Sequence, residues 1–257
     1  MNDIHPSAIV SPKAELGDKV TIGPFSIIDD DVQIGSGTLI ASSVVVANGA
    51  RIGSNVKISP GVVISTEPQD LKFGGEKTSA SIGDNTVIRE YATINRGTEA
   101  HGTTTVGKNC LIMSYAHVAH DCIIGDHVIM ANSVNLAGHI EIDDHAIIGG
   151  LVPIHQFVKV GKHAMVGGGF RVQQDVCPYA LVGGYPLKMI GLNSIGLKRR
   201  GFSRDVRESL QKAFKLLFSS GLNTTQAVER IKSDLEIIPE VQTVLDFIAR
   251  SDRGIVK

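Results

Sequence analysis

Only three cysteines occur in the 257 residues, Cys110, Cys122 and Cys177, and none forms a Cys-x-x-Cys pair. An odd number at unpaired spacing excludes a disulfide framework and reads as reduced thiols of a cytoplasmic protein. Charge of one sign is lacking as well. Twenty-five Lys and Arg stand against 26 Asp and Glu, for a net charge of −1, so nothing argues for wholesale nucleic-acid binding. No apolar run approaches the roughly 18 residues that a membrane span requires, so no transmembrane segment is expected. The N-terminus, Met1-Asn2-Asp3-Ile4-His5-Pro6, enters the pattern described below directly and leaves no room for a signal peptide. The expected location is therefore cytoplasmic.

What the chain does have is a beat of six. Ile4, Val10, Leu16, Ile22, Ile28, Ile34, Ile40, Val46, Ile52, Ile58 and Ile64 recur in one phase. Ile82, Ile88 and Ile94 resume it, and it runs unbroken from Val106 through Ile112, Val118, Ile124, Met130 and onward to Val172. All 26 slots are Ile, Leu, Val or Met in a chain that is 42% hydrophobic. Random placement would achieve this with a probability on the order of 10⁻¹⁰, so a short internal repeat must be explained.

Six fits neither a helical stripe of 3.6 residues nor the two-residue alternation of a strand. It suits a coil with flat sides and a turn after each. Two sides enclose nothing, and four sides of roughly 20 Å each leave a shaft too wide for aliphatic side chains to fill. Three sides close, so one coil is 18 residues with three lead aliphatics meeting at its centre. Positions four after each lead are small or apolar (Ala8, Ala14, Val20, Val32, Val44, Ala50) and suit a second inward position. Glycines that directly follow the lead, such as Gly23, Gly35, Gly53 and Gly125, suit tight backbone at a turn. The expected fold is a parallel β-helix in which each coil pairs only with its neighbours.

The beat stops near Pro178, and helical spacing takes over from Ser203. Ser203 can N-cap a helix whose face is Val206, Leu210, Phe214, Leu217 and Phe218, with Gly221 ending it. Thr224 can start a second helix, and Pro239 suits the first turn of a third. The expected division is a β-helix over residues 1–190 and a helical domain over 191–257.

Two gaps interrupt the beat. Residues 65–81 fill the space of about one coil, and residues 95–105 leave the slot at Ala100 inside a polar run. Loops of this length in a compact fold are usually functional or disordered. The first contains Gln69-Asp70-Leu71-Lys72-Phe73, a mixture suited to binding. Above the gaps, residues 18 apart stack at about 4.8 Å. That sets His120, Gly138 and Gln156 in one outward column and Asp121 with His139 in the next, with His117 and His155 near the same corner. A histidine, a carboxylate and a glycine with an accessible amide are the parts of a general-base site with an oxyanion donor. An imidazole with an ordinary pKa near 6.5 is the natural base at neutral pH. Two other readings compete: solvated surface histidines, and a zinc site, since three imidazoles can hold a catalytic metal.

The units of Ile, Leu or Val followed by Gly resemble the hexapeptide-repeat acyltransferase superfamily, which implies a left-handed coil. The segments QDLKF (69–73), AHVAHDC (116–122), LAGH (136–139), HQF (155–157), QDVCPY (174–179) and GLKRRGFS (196–203) resemble, more specifically, the bacterial UDP-N-acetylglucosamine O-acyltransferases. The likeness runs through nearly the whole chain. It implies transfer of a 3-hydroxyacyl chain from acyl carrier protein to the 3-position of UDP-N-acetylglucosamine, the first step of lipid A biosynthesis, with neither metal nor cofactor. By motif, His120 is implied as the general base, Asp121 as its orienting carboxylate and the Gly138 N–H as the oxyanion donor. Gln69, Asp70 and Lys72 are implied at the sugar and its phosphates, and His117, His139, His155 and Gln156 along the cleft. Asn193, Arg199 and Arg200 are implied at the nucleotide. Gly168 and Pro186 stand at the implied acyl-chain ruler, and glycine there implies a long chain, nearer 14 carbons than 10. Ile195 stands where the family carries a glutamate near the uracil. The resemblance also implies a homotrimer with clefts between subunits, and Lys198, Arg199, Arg200, Arg204 and Arg207 suit docking of an acidic carrier protein. Three alternatives remain at this level: an acetyl-CoA-dependent relative, a variant acylating a 3-amino sugar, and a non-catalytic scaffold.

Overall fold

A computed structural model describes all 257 residues. The chain winds as a left-handed parallel β-helix of triangular section, followed by a helical tail. Successive strands, most of them two residues long, go in turn to a first, second and third sheet of 11, eight and eight strands. Each strand therefore pairs with the one three further along the chain, and Ile112, Met130, Ile148 and Val166 sit directly above one another. The lead aliphatics point inward and are almost wholly buried from Ile22 to Val172. The positions four after them, including Val20, Val32, Val44, Ala50, Val56 and Val62, are buried too. Where Ser26, Thr38 and Thr86 occupy this row, each hydroxyl donates to a carbonyl of the next coil at 2.8 Å, so none of these three is stranded inside the shaft.

The turn chemistry differs from the sequence expectation. The glycine after the lead is not the left-handed residue. A methyl on Gly35 would stand 2.5 Å from the backbone carbon of Gly53 in the next coil, so close stacking of the coils excludes a side chain there. The left-handed residue is the third after the lead, and it is mostly not glycine: Asn55, Asn85, Asn109, Asp121, His127, His139 and His145 all have φ between 55° and 62°. Asn, Asp and His tolerate this region better than most residues.

The gaps also resolve differently. Ile64 pairs with Ile94, 30 residues on, and Ile94 pairs with Val118, 24 residues on. The first gap is thus not a coil but an excursion of 12 extra residues, and the second is an excursion of six. Both are whole numbers of sides, which is why the beat resumes in phase.

Beyond the coil, strand Ala180–Gly183 continues the first sheet and Lys188–Leu192 returns antiparallel to it. The tail holds helices α1 (Ser194–Arg199), α2 (Arg204–Phe218), α3 (Thr224–Asp234) and α4 (Pro239–Ala249). Ser203 caps α2 by accepting from the Val206 N–H, and Pro239 opens α4. For α3 the cap is Asn223, in a reciprocal box with Gln226. The tail is clamped to the third sheet by Arg250, which donates to Glu141 at 2.8 Å and to Asp143 at 2.6 Å.

Candidate active site

Both excursions leave the prism at the edge between the second and third sheets, in consecutive coils, and the next coil places His120 and Asp121 at that edge. The two excursions support each other. The Asn95 amide donates to Thr66 Oγ1 at 3.1 Å and to the Glu67 carbonyl at 3.0 Å. The Arg96 guanidinium lies 5.2 Å from the centre of the Phe73 ring, a cation–π distance.

His120 Nδ1 lies 2.8 Å from Asp121 Oδ2. With Nδ1–H donating to the carboxylate, Nε2 is the free, basic nitrogen. Asp121 sits in the left-handed turn position at φ 59°, and its side chain is completely buried, not outward as the column count implies. The second excursion covers it: the Thr98 N–H donates to Oδ1 at 2.9 Å and the Thr98 hydroxyl to Oδ2 at 2.6 Å. Burial alone would raise the Asp121 carboxyl, but the hydrogen bonds from Thr98 and His120 outweigh it and hold its pKa below the ordinary carboxylate value. A permanent anion thus lies behind the imidazole, ready to stabilise its protonated form. Thr98 carries no motif of its own, yet a gap of one side at this edge is the signal that its residues emerge directly beneath His120.

Gly138 lies one coil above, and a methyl on it would stand 2.5 Å from His120 Cε1 and 2.7 Å from Nε2. Only glycine leaves the imidazole face open. The Gly138 N–H donates to no group of the chain. His139 packs edge-on to His120 at 5.0 Å and stacks on Phe157 at 4.8 Å. Burial, the largest influence, lowers its pKa against the opposing pull of Asp121. Donor-type atoms of His120, Asp121 and His139 all lie within 4.8 Å of one another. Both Asp121 oxygens, however, are committed to hydrogen bonds, the arrangement of a base and its orienter rather than of a metal shell. His101, which no motif marks, stands edge-on to His139 at 5.4 Å.

An open cleft of roughly 790 Å³ lies in front of these groups, within the range of small-molecule sites. Gln69, Asp70, Leu71 and Lys72 form one wall, and His117, His120, Asn135, Gly138 and Gln156 the other. The first excursion turns over on itself, with the Lys72 N–H donating to Asp70 Oδ1 at 3.0 Å. His117 Nδ1 lies 2.7 Å from Thr93 Oγ1, and burial followed by the proximity of His120 lowers its pKa. His155 bonds through Nδ1 to the Gln156 carbonyl at 3.1 Å, beside the cleft rather than in its wall. Cys122, next to the pair, donates its thiol to the Ala137 carbonyl at 3.1 Å, and burial pushes it up to about 12. It is no nucleophile at neutral pH.

The remaining residues singled out from the sequence lie elsewhere. Arg200 and Asn193 are on the opposite edge of the third sheet, against His145 and His163. Asn193 is the N-cap of α1, and its Oδ1 accepts from the Gly196 N–H at 3.2 Å. Arg199 ends α1 beside it, exposed. Gly168 stands at the edge between the first and second sheets, and Pro186 is exposed in the hairpin that extends the first sheet. Of the basic cluster, Arg204 pairs with Glu208 at 2.6 Å.

Residues 31–66 and 103–138 match the family model described as bacterial transferase hexapeptide (six repeats). Fold and repeat together define a hexapeptide-repeat transferase. Residues 175–256 match the model described as UDP N-acetylglucosamine O-acyltransferase, domain 2. Curated relatives named acyl-[acyl-carrier-protein]–UDP-N-acetylglucosamine O-acyltransferase include one from Chlorobium phaeobacteroides, 56% identical over 99% of this chain and 97% of its own length. Another, from Trichlorobacter lovleyi, is 54% identical over 99% of both chains. The solved UDP-N-acetylglucosamine acyltransferase from Bacteroides fragilis superposes with a TM-score of 0.97 at 44% identity, covering 98% of this chain and 99% of that one. This chain belongs to the UDP-N-acetylglucosamine O-acyltransferase family.

Proposed function

We propose that this chain transfers a 3-hydroxyacyl group from acyl carrier protein to the 3-hydroxyl of UDP-N-acetylglucosamine, the step that opens lipid A biosynthesis, without metal or cofactor. The observation that carries the reading is the His120–Asp121 pair under the bare Gly138, facing a cleft walled by Asp70 and Lys72. A sugar hydroxyl is a poor nucleophile at neutral pH, whereas a thioester is already activated. His120 Nε2 removes the hydroxyl proton as the oxygen attacks the thioester carbon. Asp121 stabilises the imidazolium that forms, and the free Gly138 N–H stabilises the tetrahedral oxyanion. The intermediate collapses with departure of the carrier thiolate, which takes the proton from His120. Gln69, Asp70 and Lys72 hold the sugar and its phosphates, His117 and Gln156 line the reacting end, His139 packs against the base, and His155 flanks the cleft from outside its wall.

The working unit in this reading is a homotrimer. Outward residues high on the first sheet are apolar (Leu111, Ile129, Ile147, Met165), as are those low on the second (Ile9, Ile27, Val45, Val63). The third sheet presents Glu15, Gln33, Arg51, Glu141 and Lys159. Packing the first sheet of one chain on the second sheet of the next buries both apolar stretches around a three-fold axis. It also brings the His120 edge of one chain beside the Arg200 edge of its neighbour. Asn193, Arg199 and Arg200 then reach the nucleotide from the adjacent subunit. The exposed Lys198 and Arg199 suit docking of an acidic carrier protein, and a cytoplasmic location suits such a donor.

The test is turnover of UDP-N-acetylglucosamine with a panel of 3-hydroxyacyl carrier proteins against acetyl-CoA. The expected result is acylation from the carrier protein only, abolished by His120→Ala with the melting curve unchanged. Activity retained by that variant overturns the assignment of the base. On the same panel a long donor, nearer 14 carbons than 10, is expected to be preferred. Gly168→Met, whose Cβ would meet the Gly150 carbonyl oxygen at 3.0 Å, is expected to shift that preference to shorter chains; unchanged selectivity removes Gly168 from the ruler.

A further inference from the structure

At the edge between the third and first sheets, the left-handed turn positions of three consecutive coils are His127, His145 and His163. Their rings stack with centroids 4.6 and 4.7 Å apart and planes 11° from parallel, and Tyr179 continues the column at 5.7 Å. The chemistry at the His120 edge uses none of them. The tail lands on this column. Arg200 Nη1 donates to His145 Nδ1 at 2.5 Å, and the Asn193 amide donates to the His163 carbonyl at 3.0 Å. Phe202 meets the His163 ring edge-on at 5.0 Å.

A guanidinium has only donors, so the geometry sets the protonation of His145: Nδ1 is the bare acceptor and the ring is neutral. The groups facing it agree. Burial first, then Arg200, His127 and Lys162, lower the His145 pKa, with Asp144 opposing. Burial first, then His145, Arg200 and Lys162, take His163 down to about 4, with Asp144 opposing. The contact does not anchor the tail, which is held separately by Arg250 to Glu141 and Asp143 and by Ser251 to Asp175. Losing the His145 acceptor therefore leaves the Arg200 head group only a long 3.4 Å contact from Nη2 to the His145 carbonyl, without undocking the helices.

We propose that His145 is a positioning residue for the acyl transfer: held in register by the imidazole column, its neutral Nδ1 aims the Arg200 guanidinium at the nucleotide bound in the neighbouring subunit's cleft. The inference rests on the reading that puts Arg200 at the nucleotide. It carries a pH dependence. As pH falls through the lowered His145 pKa, the acceptor becomes a donor and a second cation appears beside Arg200, so nucleotide-sugar affinity falls on the acid side.

Steady-state kinetics of the full chain from pH 5 to 8.5 test this. His145→Phe keeps a flat ring in the column and removes the acceptor. It is expected to raise KM for UDP-N-acetylglucosamine about five- to ten-fold, the net worth of one ordinary hydrogen bond, with kcat and KM for the acyl carrier protein within about twofold. His145→Asn places a non-titrating oxygen where Nδ1 was and tolerates the left-handed backbone. It is expected to restore KM at pH 8 and to abolish the acid-side rise of KM seen in the parent. Arg200→Ala serves as the reference. A raised KM in Arg200→Ala together with a parental KM in His145→Phe overturns the role of His145 and leaves the nucleotide reading standing. An unchanged KM in Arg200→Ala overturns both. Should the Phe variant not fold, an acid limb retained by His145→Asn overturns the inference alone.

Discussion

Gly138 matters through the atom it does not carry. Because a methyl there would collide with Cε1 and Nε2 of His120, Gly138→Ala is expected to turn the imidazole away from the acceptor. The predicted result is a fall in kcat on the order of 100-fold, read by steady-state assay, with an unchanged thermal melt. In the proposed mechanism Asp121 acts at one remove, by fixing the tautomer through its 2.8 Å bond to Nδ1. Asp121→Asn keeps the shape and loses the charge. Its kcat is predicted to drop about 10²- to 10⁴-fold, with the substrate KM values little changed. The pair was legible in the sequence because His120, Gly138 and Gln156 are separated by 18. The burial of Asp121 was not, since it depends on Thr98 in a loop whose place on the prism the beat does not reveal until its length is counted in sides.

Most strands contribute only two residues, one inward and one outward, so neighbouring residues of the same type have opposite worth. Ile124 is 1% exposed inside the shaft, whereas Ile123 is 46% exposed on the third face. Ile124→Ala is predicted to cost about 2–5 kcal/mol in a urea titration, and Ile123→Ala no more than about 0.5 kcal/mol. This alternation was the most readable part of the chain, because the repeat writes the same instruction 26 times. The turns were less readable. The glycines after the lead look like turn residues but serve close stacking of the coils, and the left-handed positions are filled by Asn, Asp and His. Helix α1 escaped notice because six residues hold too little periodicity to separate from loop, even though Asn193 caps it. The three longer tail helices announced themselves through Ser203, Thr224 and Pro239.

At the scale of the molecule, the three faces of the prism differ in what they offer water. Two carry stretches of outward Ile, Leu, Val and Met, and the third carries most of the charge. If the apolar faces meet around a three-fold axis, Ile129→Lys together with Ile147→Lys should reduce the mass measured by light scattering from three chains to one. Activity should be lost with it, because the His120 edge and the Arg200 edge would no longer share a cleft. Gln33→Lys, on the charged face, should leave both mass and activity intact.

The lengths of the two excursions have a consequence for how such a protein is assembled over time. Twelve and six residues are whole sides of the triangle, so removing either would let the coil close without a seam, with Ile64 meeting its next lead six residues later. By length alone the prism can close without either excursion, whereas the proposed chemistry needs both, one to grip the sugar and one to bury Asp121. Scaffold and reactivity are written in separable lengths of chain. A shortened version would be a sound, silent rod, and the distance from that rod to an enzyme is three sides of insertion at one edge.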